Sequence, residues 1–184
     1  MAALVERARA SGEKRRGLPP VHLWNPEVCG DLDIVIRKDG LWLHEKTPIG
    51  RKELVRLFST VLRKDPDGYW LVTPVEKMRI TVEDAPFRAV RVDRDGEGLR
   101  FLTNVEDEVI AGPENVIRVE TDPSTGEPAP YLHVRRGLEA RIDRAVFYEL
   151  VDLAEEREMP GGPVLGVVSM GEFFPLAPAG FHRP

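Results

Sequence analysis

The stretch TPIGRKELVRLF, residues 47–58, places two cations, Arg51 and Lys52, where a helix should begin. The positive end of a helix dipole disfavours cations there, by roughly 0.3–1 kcal/mol each at an exposed site. Either an acid of the chain itself or an anionic ligand should compensate, and the free N–H groups of a helix start suit a phosphate or carboxylate. RIDRAVFYELV, residues 141–151, repeats the pattern with Arg144. Gly50 and Asp143 are the N-cap candidates. Lys77 and Arg79, alternating with Met78 and Ile80, add charge to one strand face, and His133, Arg135 and Arg136 lie just before the second helix. Trp24, in a Trp-Asn-Pro loop, offers a stacking surface, with Asn25 and Asn104 for polar readout. Against this stands internal pairing of the arginines with Asp31, Asp33, Glu45, Glu76 or Glu83. Trp42, Tyr69 and Trp70 lie in apolar strand context and are expected in the core.

Other chemistry has weaker support. Cys29 is the only cysteine, so no intrachain disulfide and no cysteine-based zinc site can form. A lone cysteine is ordinarily a small buried hydrophobe, and that is the expectation for Cys29. Asp31 and Asp33 share a strand face, but with His44 and His133 they show no metal-ligand spacing, so no metal and no cofactor is expected. Glu83 and Asp84 are adjacent and would point to opposite faces, so a turn is preferred to paired acid–base carboxylates. No P-loop, G-x-S-x-G or G-x-G-x-x-G leading into a helix occurs.

The elements that must position these residues follow from periodicity. Alternating runs joined by Lys38-Asp39-Gly40 read as a hairpin. Leu54, Leu57, Phe58, Val61 and Leu62 form a helical stripe ended by Asp65-Pro66-Asp67-Gly68. Short strands are expected at 69–73, 78–82, 87–92, 99–103, 108–111, 116–120 and 131–135. A second amphipathic helix spans about 143–156, and VLGVVSMGEFFPL supplies one or two closing strands. Composition is that of an ordinary globular protein, with 31% charged residues and a net charge of −5, which argues against non-specific nucleic-acid or membrane binding. The first residues lack an apolar signal-peptide core and no run is long enough to span a membrane, so a cytoplasmic location is expected.

A shift of 93 positions pairs Ile49-Gly50-Arg51 with Ile142-Asp143-Arg144, and Trp42-Leu43-His44 matches Tyr131-Leu132-His133 at another offset. This predicts a repeated hairpin–helix unit. The runs WNPEVCGDLDI, TPIGRKELVRLFSTVLR, YWLVTPVEKMRI, VEDAPF, LRFLTNVEDEV, PYLHVRRGLEARI and GEFFPL resemble the bacterial domain-of-unknown-function family numbered twelve-eighty-five, over most of residues 22–176. The resemblance implies two α+β domains related by duplication, the C-terminal one superficially like a pleckstrin-homology fold. It also implies a ligand site at the domain interface, for a nucleotide- or nucleic-acid-like ligand, and a signalling role, with no established activity.

The expected architecture is α+β: a flexible tail over 1–20, an N-terminal domain over 21–83 and a C-terminal domain over 84–184. The expected function is a non-enzymatic regulatory protein. It binds an anionic, nucleotide-like ligand through Trp24, Asn25, Arg51, Lys52, Lys77, Arg79, Asn104, His133 and Arg144. The alternatives are an interaction adaptor with no small ligand and a hydrolase of a phosphorylated substrate that would need Asp31 or Asp33. A protein partner remains open, as does the oligomeric state.

Overall fold

The structure is a computed structural model that describes residues 2–12, 17–123 and 125–181. Most of the regular structure is sheet, with three α-helices among the described residues, and the chain divides into two compact units, Met1–Pro86 and Phe87–Pro184. The division falls at the Asp84-Ala85-Pro86 break, where proline punctuates the strand-rich sequence.

Unit 1 opens with helix α1, Ala2–Gly12, which lies against the later helix α2 and buries Leu4 and Ala8. The expected flexible tail is therefore helical over these residues; its residues 13–16 lie outside the described ones. A single 3-10 turn, Val21–Leu23, leads to strand β1, Val28–Ile36. The Asp39-Gly40 turn returns the chain as β2, Trp42–His44, and a tight turn with Glu45 and Lys46 at positive φ leads to the two-residue strand β3, Thr47–Pro48. Helix α2, Lys52–Thr60, follows, and then the meander β4 (Leu62–Asp65), β5 (Gly68–Val72) and β6 (Glu76–Val82). The sheet order is β3-β2-β1-β6-β5-β4, with β6 parallel to β1. Ile34, Ile36, Trp42, Phe58, Leu62 and Leu71 form its core, Trp42 and Phe58 stacking with ring centroids 6.4 Å apart.

Helix α2 is shorter than its apolar stripe. Val61 caps it and Leu62 is already strand, because Lys64 and Tyr69 pair across the Asp67-Gly68 turn. The positive φ of Gly68, 138°, is backbone that few other residues adopt, and it fixes this hairpin. Sheet pairing outcompetes helix extension here because it satisfies the same backbone groups and also buries Leu62 and Leu71.

Unit 2 has a six-stranded sheet of β7 (Phe87–Asp95), β8 (Gly98–Thr103), β9 (Glu108–Ile110), β10 (Ile117–Thr121), β11 (Pro128–Arg135) and β12 (Leu138–Ile142). Its order is β10-β11-β12-β7-β8-β9, again with one central parallel pair, β12 with β7. Helix α3, Arg144–Asp152, packs Val146, Phe147 and Leu150 into the core. The three-stranded sheet β13 (Glu155–Met159), β14 (Gly162–Ser169) and β15 (Glu172–Pro178) completes the unit. Ser169, fully buried, ties the two sheets together: its hydroxyl donates to the Ala111 carbonyl (2.7 Å) and accepts from the Leu99 N–H (2.8 Å).

Each nine-residue helix is thus followed by a three-stranded antiparallel meander. The helices themselves are offset by 92 positions, Lys52–Thr60 against Arg144–Asp152. Arg51 therefore stands at the N-cap of α2, where Asp143 is the N-cap of α3, and Arg144 is one residue further in.

Candidate functional site

The expected site residues separate into those consumed by the fold and those left over. Lys77 and Arg79 alternate along β6, so both point to one face, and there they flank Trp70 of β5. Lys77 Nζ lies 4.1 Å and the Arg79 guanidinium 4.7 Å from the Trp70 ring centroid. The indole N–H donates to Asp67 (3.1 Å), which also receives Arg79 (2.9 Å). Lys77 pairs with Asp65 at 3.3 Å. Neither cation is spare.

Beside them, Arg63 organises the edge of the sheet. Its guanidinium grips Asp65 with two contacts of 2.8 Å and donates to the carbonyls of Val21 (2.9 Å) and Trp24 (2.6 Å). The segment preceding β1 is thereby fastened to β4, and half-buried Trp24 is part of that fastening, while Asn25 stays exposed. Burial pushes the Asp65 carboxyl up, but the hydrogen bond and charge of Arg63, joined by those of Lys77, outweigh it and hold the pKa below its ordinary value. A carboxyl lowered in the folded state contributes stability above its unfolded pKa, about 3.9, and loses it as the pH falls through the folded value. The stability gap between wild type and Asp65→Asn should therefore be constant from pH 7 to about 5 and shrink below about 4. Urea titrations at each pH measure it, and a gap unchanged down to pH 2.5 contradicts the assignment.

In unit 2 the expected residues are also engaged. The Asn104 side chain accepts the Arg88 N–H (2.9 Å), while its own N–H donates to the Arg88 carbonyl (2.9 Å), which joins the loop after β8 to β7. His133 accepts the Gly137 N–H at Nε2 (3.1 Å), so its proton sits on Nδ1, which donates to the Glu114 carbonyl (2.7 Å). It staples the turn in which Arg136 and Gly137 both take positive φ. Arg144 donates to the Tyr148 hydroxyl (2.8 Å) and pairs with Glu127 (3.4 Å), and these partners raise its pKa. Asp143 does not cap α3 with its side chain; it receives Arg88 (2.6 Å). Arg135 pairs with Asp107. Internal pairing therefore holds for Lys77, Arg79, Arg88, Arg135 and Arg144, through Asp65, Asp67, Asp143, Asp107 and Glu127; of the acids expected from sequence, Glu76 pairs with Arg7 instead.

Arg51 and Lys52 are different. Both are exposed at the start of α2, and neither forms an ion pair among the described residues. Glu53, the acid of that first turn, supplies part of the dipole compensation. Basic and acidic residues nearly balance in unit 1, whereas unit 2 carries the acidic excess.

Trp42 and Trp70 are core residues as expected. Cys29 is exposed, not buried: β1 extends it past the end of β2, where no layer covers it. No three of His, Cys, Asp and Glu come together in a metal-binding group among the described residues. No helix among them is long and apolar enough to cross a membrane. Arg63, Asp65 and Asp67 escaped the sequence reading, although their alternation across an Asp-Gly turn was a signal that they share a sheet face.

Comparison with known proteins agrees with the two-unit division. Residues 19–85 match the N-terminal domain, and residues 86–176 the C-terminal domain, of a protein family of unknown function, DUF1285. The crystal structure of a DUF1285 family protein from Silicibacter pomeroyi DSS-3 is 50% identical, with a TM-score of 0.83 over 96% of this chain and 95% of that one. A second, from Shewanella baltica OS155, is 27% identical, with a TM-score of 0.53 over 66% of this chain and 91% of its own. No curated protein matches the chain. With both family domains matched in order along a chain half identical to a solved member, this protein belongs to the DUF1285 family.

Proposed function

We propose that the protein is a cytoplasmic, non-enzymatic regulatory module that binds an anionic ligand of the phosphate-bearing, nucleotide-like class. The observation that carries this reading is the pair Arg51 and Lys52, exposed and without an ion pair among the described residues at the positively polarised start of α2. Lys77, Arg79, Asn104, His133 and Arg144 drop out of the binding set, because each is engaged within its own unit. A signalling role and a duplicated origin of the two halves complete the reading. The shared order of helix and meander supports the duplication, and the likeness of unit 2 to a pleckstrin-homology fold rests on sequence resemblance alone.

A thermal-shift series with inorganic phosphate and a panel of nucleoside mono-, di- and triphosphates tests it. At least one should raise the wild-type midpoint, and Arg51→Ala/Lys52→Ala should abolish the response. Arg144→Ala should leave it intact, since that guanidinium serves Tyr148 and Glu127. No stabilisation of the wild type, or equal stabilisation of the double variant, overturns the reading.

A further inference from the structure

Strand β1 has one edge that its own sheet does not use. Over Val28–Asp31 it pairs with β6, Val28 opposite Glu76 and Asp31 opposite Arg79. On its other side β2 covers only Ile34–Ile36. Beyond that point the chain turns away at Glu45 and Lys46, and the last bond to β1 is the Glu45 N–H donating to the Asp33 carbonyl (3.0 Å). Along residues 28–32 no backbone partner occupies that side among the described residues. The segment is open to solvent: Val28 is 60% exposed, and Cys29, Asp31 and Asp33 are exposed as well. An unpaired row of N–H and C=O groups is a template for another strand.

The side chains say which strand. The burial pattern puts Cys29, Asp31 and Asp33 on one face and Gly30 and Leu32 on the face that continues to the buried Ile34 and Ile36, through an irregularity of the β1–β6 register between Asp31 and Val35; alternation adds Val28 to the second face. A strand laid against this edge meets Asp31 and Asp33 on one face, where the neighbouring Lys77 and Arg79 of β6 are already held by Asp65 and Asp67, and Val28 and Leu32 on the other. A second copy of β1 would set Asp31 and Asp33 against like charges, which disfavours self-pairing. We infer that the Val28–Asp33 edge of β1 accepts an extended segment of another protein in which basic residues alternate with aliphatic ones, added as an extra strand. This inference does not depend on Arg51 or Lys52, which lie on α2.

A fluorescently labelled decapeptide of alternating Lys and Val tests it against the full chain by anisotropy, with amide shift mapping by NMR. The alternating peptide should bind at least about tenfold tighter than one of the same composition with its five lysines and five valines in separate blocks. Shifts should centre on residues 28–33. Methylating the alternate backbone nitrogens along one edge of the peptide should abolish binding, while methylating the other set should spare it, since only one edge faces β1. Asp31→Lys/Asp33→Lys, with folding verified by circular dichroism, should lose the binding, and Arg51→Ala/Lys52→Ala should retain it. No binding, equal binding of the blocked peptide, indifference to both methylation patterns or shifts located elsewhere each overturn the inference.

Discussion

Replacing Arg63 with alanine is expected to destabilise unit 1 by about 2–4 kcal/mol, the range for breaking a largely buried charge pair and orphaning its partners. Its side chain is 12% exposed and that of Asp65 19%. The substitution leaves Asp65 with Lys77 alone, strips the Trp24 carbonyl of its Arg63 donor and leaves the Val21 carbonyl with the Trp24 N–H at 3.3 Å. Arg63→Lys should rescue little, because a single ammonium cannot pair with the carboxylate and reach two carbonyls as the fixed fork of a guanidinium does. Tryptophan fluorescence in urea reads this directly, since Trp24, Trp42 and Trp70 all lie in unit 1. A shift in the denaturation midpoint worth less than about 1 kcal/mol would show that the segment before β1 is held by packing instead.

Gly166→Ala should be comparably damaging in unit 2. A Cβ built at this position clashes with the edge of the Phe173 ring and meets the Phe174 carbonyl oxygen at 2.6 Å. The ring lies over the glycine with the Arg157 guanidinium 4.4 Å from its centroid, so β13, β14 and β15 each contribute one member of a stack. The ring can swing aside only by breaking that stack, and the carbonyl belongs to the β14–β15 ladder. Overpacking of this kind costs about 1–3 kcal/mol or more. Phe173→Leu in the same chain should recover part of the loss, with the backbone clash remaining. Unit 2 has no tryptophan, so far-UV circular dichroism or the tyrosine signal of Tyr131 and Tyr148 carries the measurement. A fully tolerated alanine would mean that the Leu165–Gly166 bulge absorbs the extra carbon.

The contrast between what the sequence foretold and what it hid has a physical pattern. The Asp39-Gly40 hairpin, the amphipathic face of α2 and the break at Pro86 were legible because each is set by local chemistry: turn residues, helical period and proline. The helix ends were misjudged where non-local pairing takes over. Leu62 fits the stripe of α2 yet joins β4, and Glu155, expected within the second helix, joins β13 through the turn at Gly161 and Gly162. The same limit governs the site. Lys77 and Arg79 were visible as cations on one strand face, but their partners Asp65 and Asp67 come from the end of β4 and the turn after it, which only sheet order brings beside β6. The arginines paired by the shift of 93 stand at different helix positions, Arg51 at the N-cap of α2 and Arg144 inside α3, because helix bounds depend on the strands around them.

The central parallel pair of unit 1 also shapes how it is made. Neighbouring segments can form β1, β2 and α2 as one piece and β4, β5 and β6 as another, each from short-range contacts. The ladder between β1 and β6 joins residues nearly fifty positions apart, so its loop-closure cost falls on the docking of two preformed pieces. On the ribosome, β2 can cover Ile34–Ile36 early, but the other edge of β1 stays bare until Glu76–Val82 has cleared the exit tunnel. A nascent chain halted before that point displays that unpaired edge and the uncovered Ile34 and Ile36, which is the form of unit 1 most exposed to aggregation and to chaperones.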